Sequence, residues 1–201
     1  MKNKKTNTII LIVGVVVLIA FWFIGKYNGL VNKEENVNSK WAQVENVYQR
    51  RADLIPNLVA TVKGYAEHEQ QVLTDVIAAR SKATSMNINA DNLTEENIQA
   101  FQAAQDQLSG ALSRLLVTVE KYPDLKANQN FLQLQGELSD IENKLAAVRR
   151  YFNSATRELN NAVQTFPSNI FAGMFGFHRE AMYEIEASQR AAVEKAPEIQ
   201  F

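Results

Sequence analysis

Phe131, Leu134, Leu138, Ile141, Leu145, Val148, Phe152, Ala155, Leu159, Ala162 and Phe166 follow one another at alternating steps of three and four, and no polar residue interrupts them. This is one face of an α-helix of roughly ten turns, and Pro167 stops it. A helix with one continuous apolar face is not stable by itself in water. It must be covered along its length, and the economical cover is more helix.

The rest of the chain supplies such covers. Val37, Trp41, Val44, Tyr48, Arg51, Ile55, Leu58, Val62, Tyr65, Glu69, Val72, Val76, Ala79 and Ala83 form a second stripe with the same steps. Pro56 falls inside it without disturbing the phase, so a single helix kinked near Pro56 is expected over this whole stretch. Asn57 or a water is the expected partner for the carbonyl that the proline frees. "SMNINADNLT" then breaks the pattern. Thr94 caps a new helix, with Glu95 and Glu96 in its first turn, and its stripe is Ile98, Phe101, Gln105, Leu108, Leu112, Leu115, Val119 and Tyr122. Pro123 ends it. A last, weakly amphipathic helix is expected from about Arg179 to Lys195, and Pro197 argues against a helical tail. Only 8 Gly and 4 Pro occur in 201 residues, which suits a mostly helical chain. The stripes predict an all-α fold: an N-terminal transmembrane helix followed by an antiparallel bundle of about four helices, the first and third long.

The transmembrane helix is read at 8–25, after a short basic N-terminus at 1–7 and before a juxtamembrane segment at 26–36; the bundle domain is 37–201. Ile9, Ile10, Leu11, Ile12 and Val13 open the run, Val15, Val16, Val17, Leu18 and Ile19 continue it, and Phe21, Trp22, Phe23 and Ile24 close it without a charge. Eighteen residues span roughly 27 Å, about one hydrocarbon core. A cleaved signal peptide would have a shorter apolar core and a small-residue cleavage site, which "AFWFIGKYN" does not offer. The expected location is therefore a cell membrane, crossed once. The lysines at 2, 4 and 5 are denser than those at 26, 33 and 40, which favours a cytoplasmic N-terminus and a domain outside.

Chemistry is hard to place. The absence of cysteine removes disulfides, thiolate ligands and thiol nucleophiles. A net charge of -1 does not suggest nucleic acid as a partner. His68-Glu69 begins like the zinc motif H-E-x-x-H, but Val72 stands where the second histidine belongs. A di-iron bundle needs Glu-x-x-His on two helices, and the residues three before His68 and His178 are Tyr65 and Phe175. No phosphate loop or nucleophile elbow occurs. The expectation is no enzyme, no cofactor, no metal and no small-molecule substrate.

Two features remain. Arg51 and Glu69 interrupt an apolar stripe about 27 Å apart, so each needs its own partner. For Arg51 the candidate acceptors are glutamates such as Glu142 or Glu158, or a surface on another protein. The loop "FPSNIFAGMFGF" concentrates Phe166, Ile170, Phe171, Met174, Phe175 and Phe177 in twelve residues. It either caps the bundle or offers an apolar patch to a protein partner or a second copy. With three long helices leaving, returning and leaving the bilayer, this loop is expected at the far end of the bundle.

Several blocks resemble the LemA family of bacterial membrane proteins. They are Tyr27-Asn28-Gly29-Leu30-Val31, Trp41, "RRADLIPNLVATVKGYAEHE", Ala78 to Arg80, "YPDLKANQNFLQLQGELSDIENKL", "FPSNIFAGMFGF" and Pro197-x-Ile199-x-Phe201. The resemblance implies one transmembrane helix, a domain of long antiparallel helices and no established catalytic activity. Family descriptions place the domain in the cytoplasm, opposite to the lysine argument. Val148 stands where the family more often has alanine, and the last helix departs from its pattern. Together these readings lead to a membrane-anchored helical scaffold or adaptor that binds protein partners or self-assembles. The alternative is a membrane-shaping or envelope-organising oligomer.

Overall fold

The computed structural model describes residues 2–183 apart from 67, 87 and 89–91. Its elements are α1 (Lys2–Lys63), α2 (Gln70–Ser85), α3 (Glu95–Val119), the one-turn α4 (Pro123–Lys126), α5 (Gln129–Gln164) and α6 (Ser168–Phe175). No strand occurs among the described residues. The fold is all-α, an apolar N-terminal helix running into a helical bundle.

The apolar run, the segment 26–36 and the first bundle helix are one continuous helix of 62 residues, about 93 Å long. Pro56 sits inside it. A proline lacks the N–H that the carbonyl four residues earlier would accept. That carbonyl belongs to Ala52, and it accepts instead from Nε of Arg80 on α2 at 2.7 Å. The partner is thus a side chain of the next helix, rather than Asn57 or a water.

The expected single helix to Ala83 is in fact two. α1 ends at Lys63, and Tyr65 and Ala66 both donate to the carbonyl of Val62 in a turn that reverses the chain. Burial shows why the turn is stable. Ala66 and Leu73 are buried, whereas Tyr65 is 44% exposed. The stripe read through Tyr65, Glu69 and Val72 is therefore not one face. Ala66 and Leu73 carry the apolar contacts across the reversal, and Gly64, a poor helix former, lies where the helix gives way.

This extra reversal alters the topology. α1 leads away from the anchor, α2 returns, α3 leads away again, α4 makes the far turn, and α5 returns. The ion pairs fix the antiparallel register of α1 and α5: Lys33 meets Glu158 at 3.3 Å, and Arg51 meets Glu142 at 2.9 Å. α6 thus lies at the anchor end of the bundle, not the far end as expected.

The remaining stripes are placed as read. Ile98, Phe101, Gln105, Leu108, Leu112, Leu115 and Val119 are buried on α3, whose N-cap Thr94 accepts from the N–H of Asn97 at 3.2 Å. Asn128 caps α5 in the same way, accepting from the N–H of Phe131 at 3.1 Å. Pro123 opens α4, where its missing N–H costs nothing. Phe166 is an exception at 81% exposed, because α5 has already ended at Gln164. Two apolar clusters result. The anchor-side cluster holds Trp41, Tyr48, Phe152 and Phe171. The far cluster holds Ile55, Val62, Leu112 and Phe131.

The helix expected from Arg179 does not begin there: residues 177–183 carry no helix. The rest of that expectation, with Pro197 and the Pro197-x-Ile199-x-Phe201 ending, lies outside the described residues.

Candidate functional site at the anchor end

α6 packs one face on α1 where the apolar run ends. Phe171, 2% exposed, meets Trp22 and Phe23 edge-on at ring-centroid distances of 5.3 and 4.6 Å. Tyr27 meets Phe175 at 4.9 Å and Phe177 at 5.9 Å. Such edge-to-face pairs add about 0.5–1.5 kcal/mol each beyond the area they bury. The result is a collar of six aromatic rings at the foot of the domain. Gly176, at φ 80°, ends α6 in the left-handed conformation that suits glycine, and its N–H bonds the carbonyl of Ala172.

The other face of α6 is bare. Ile170 and Met174, one turn apart, are 52% and 64% exposed, and Phe166, just before the helix, is 81% exposed. No charged residue occurs from Phe166 to Phe177. α6 adjoins the apolar run of α1, which is, among the described residues, the one helix long and apolar enough to cross a membrane. One face of this loop thus covers the anchor end of the bundle, and the other is exposed.

Beyond Gly176 the chain turns along α5 as a strap. Asn160 and Asn153 each bind its backbone, at Glu180 and Tyr183 respectively. Tyr183 is buried beside Trp41 and Phe152, and burial pushes its hydroxyl well above the ordinary tyrosine range. Burial also raises the carboxyl of Glu180; His178 partly offsets the rise and Glu34 adds to it.

The two charges on the first stripe have partners inside the domain. Arg51 is 0% exposed. Its guanidinium donates to Glu142 at 2.9 Å, to Ser109 Oγ at 3.0 Å and to Gln105 Oε1 at 2.6 Å, and it lies 5.1 Å from the Tyr48 ring. Of the two readings for Arg51, the structure selects the internal one, with Glu142 rather than Glu158 as acceptor. Glu69 accepts from the Tyr122 hydroxyl at 3.1 Å across the far turn. Arg51 and Glu69 do not join α6, so the candidate residues fall into three separate places. Trp41 is buried, and its indole N–H donates to the carbonyl of Ile88 at 2.9 Å.

Asn153 and Asn160 were not singled out from the sequence, and Arg80 appeared there only within the block Ala78 to Arg80, without a role. The two asparagines did leave a signal, since they stand seven apart beside the stripe positions Phe152 and Leu159. The role of Arg80 left none, because its acceptor is a backbone carbonyl on another helix.

Comparison with known proteins now adds to this geometry. The model of the LemA family matches residues 40–201. Protein LemA of Metamycoplasma hominis is 24% identical over 174 residues, covering 87% of this chain and 76% of that protein. Magnetosome protein MamQ of Magnetospirillum gryphiswaldense is 24% identical over 190 residues, covering 85% of this chain and 70% of the relative. Magnetosome protein MamQ 2 of Paramagnetospirillum magneticum is 23% identical over 194 residues, with 87% and 71% covered. These relatives and the apolar helix suggest a membrane location.

Proposed function

The chain belongs to the LemA family, and we propose that it works as a membrane-anchored helical scaffold or adaptor, without catalysis, whose domain is braced on the bilayer that holds its anchor. The observation that carries this reading is the pairing of α6 with Trp22, Phe23 and Tyr27. It sets an apolar, uncharged helix face at the level where α1 leaves its apolar run. Aromatic side chains favour the lipid–water interface, and a short helix with one apolar face can lie in it. α1 has no break between the anchor and the core, so the domain cannot swivel freely against the membrane. Two attachments to one surface give the far end a defined direction, which is what a scaffold needs.

The native chain has no cysteine, so single cysteines report cleanly. Met174→Cys and Val117→Cys, each carrying an environment-sensitive fluorophore, are compared in liposomes. Val117 is 69% exposed on α3 towards the far end. The expected result is a blue-shifted label at 174, shielded from an aqueous quencher, and an aqueous label at 117. Equal quenching at both positions would refute the bracing.

One-sided insertion of α6 also favours the second reading, a membrane-shaping or envelope-organising oligomer, because a wedge in one leaflet acts on curvature. A regular array of purified protein on liposomes supports it, and a monodisperse monomer there counts against it.

A further inference from the structure

Two asparagines on α5 hold the strap much as a neighbouring β-strand would. Asn160 accepts from the N–H of Glu180 at 2.9 Å and donates to its carbonyl at 2.8 Å. Asn153 does the same for Tyr183, at 2.8 and 3.0 Å. A primary amide carries one acceptor and two donors, so it can bond both the N–H and the C=O of one residue.

The spacing of the two rungs is matched. Seven residues of helix rise about 10.5 Å, and three residues of extended chain cover about 10 Å. Asn153 and Asn160 stand seven apart, whereas Tyr183 and Glu180 stand three apart and in the opposite order. The strap therefore runs antiparallel to α5, with its backbone in step with two turns of helix. The N–H of Ala181 donates to the carbonyl of Leu93 at 3.2 Å on the other wall.

These five hydrogen bonds all engage strap backbone and ignore its side chains. The side chain of Glu180 is largely covered, and the strap side chain set deepest in the trough is that of Tyr183. Its ring stacks on Trp41 at 6.2 Å, meets Phe152 edge-on at 6.0 Å and lies 5.4 Å from the Arg149 guanidinium. Met182 beside it is 38% exposed. Open space of about 570 Å³ continues beside the strap, between Thr94, Glu95, Arg157 and Arg179.

We propose that this trough is a peptide-binding site, filled in cis by residues 180–183. Its ligand in trans is an extended segment of a partner protein with an aromatic residue in the place of Tyr183. Backbone bonds supply affinity without sequence demand, and one aromatic anchor supplies register. The strap acts as a built-in competitor. A segment tethered by a few residues has an effective concentration in the millimolar range, so only a partner concentrated near the domain displaces it. This inference is independent of how α6 meets the bilayer.

The test uses the full chain in detergent micelles and a fluorescent peptide of residues 178–186. Tyr183→Ala removes the cis anchor. The expected result is saturable binding to this variant, at least tenfold tighter than to the native chain. Adding Asn153→Ala and Asn160→Ala abolishes that binding, as does alanine for tyrosine in the peptide. A folded Tyr183→Ala chain that binds no more peptide than the native one would overturn the proposal, and so would binding indifferent to both asparagines. If that variant does not fold, amide exchange of the native chain at Ala181 and Tyr183 decides. Millimolar peptide should accelerate it at least threefold, and unchanged exchange would overturn the proposal.

Discussion

Pro56 and Arg80 form a pair whose coupling can be calculated and measured. Ala52 is 3% exposed, and its carbonyl, freed by the proline, accepts from Arg80 at 2.7 Å. An orphaned buried acceptor costs about 1–3 kcal/mol. Arg80→Met keeps the stem and removes the donor, so it should destabilise the native chain by about 2 kcal/mol. Pro56→Ala restores the N–H of residue 56 and the ordinary helical bond to Ala52. Proline inside a helix costs about 3 kcal/mol, so this change should stabilise the chain, less whatever packing is fitted to the proline ring. In the Pro56→Ala background the carbonyl is already satisfied, and Arg80→Met should cost less than about 1 kcal/mol. The cycle therefore predicts a coupling of about 1–2 kcal/mol. The assay is urea unfolding of the four chains in micelles, followed by helical circular dichroism and analysed only if the slopes agree. Equal costs of Arg80→Met in both backgrounds would refute the account of how the bundle tolerates this proline.

Arg51→Ala should cost about 3–5 kcal/mol, since it strands buried Gln105 and opens a cavity; the half-exposed Glu142 rehydrates and contributes little. Arg51→Met with Gln105→Leu should recover to within about 1.5 kcal/mol of native by the same unfolding assay, and no recovery would mean that packing rather than polar satisfaction dominates. Phe171→Ala should free α6 from Trp22 and Phe23, and a fluorophore at residue 170 should then show faster local motion by anisotropy while the bundle stays helical. Asn128→Ala removes the cap on α5 and should cost about 1 kcal/mol in thermal or urea unfolding. Glu180 has a carboxyl raised by burial, so the docked strap binds its proton more tightly than the free strap does. Docking should therefore strengthen as pH falls through the raised value and level off below the ordinary range of a free glutamate. Amide protection at Ala181, corrected for intrinsic exchange, checks the sign, and Glu180→Gln should remove the dependence.

The helices of this bundle were legible because their signal is local. Steps of three and four from Phe131 to Leu159 mark the buried face of α5, and Thr94 and the α3 stripe gave that helix its start and its face. That Arg51 needs an acceptor was legible too, because it is a cation on an apolar stripe, but the choice of Glu142 over Glu158 or another protein was not. The reversal at 64–69 was not. An apparent period carried through Tyr65 and Glu69, while the burial that holds the turn belongs to Ala66 and Leu73. One missed reversal put α6 at the wrong end of the molecule.

By itself, the sequence determined what is helical, which faces are apolar, where a membrane can be crossed, and that a chain without cysteine lacks thiol chemistry. These follow from periodicity and residue type, which act within a few turns of chain. The tertiary structure alone decided the direction of each helix, and with it the contact of Phe171 with Trp22 and Phe23. It also decided that Arg80 serves the carbonyl freed by Pro56, and that Asn153 and Asn160 hold a backbone twenty or more residues further on. A stripe states which side of a helix must be covered. It does not state what covers it, because burial is non-directional and backbone hydrogen bonds accept any partner of suitable geometry.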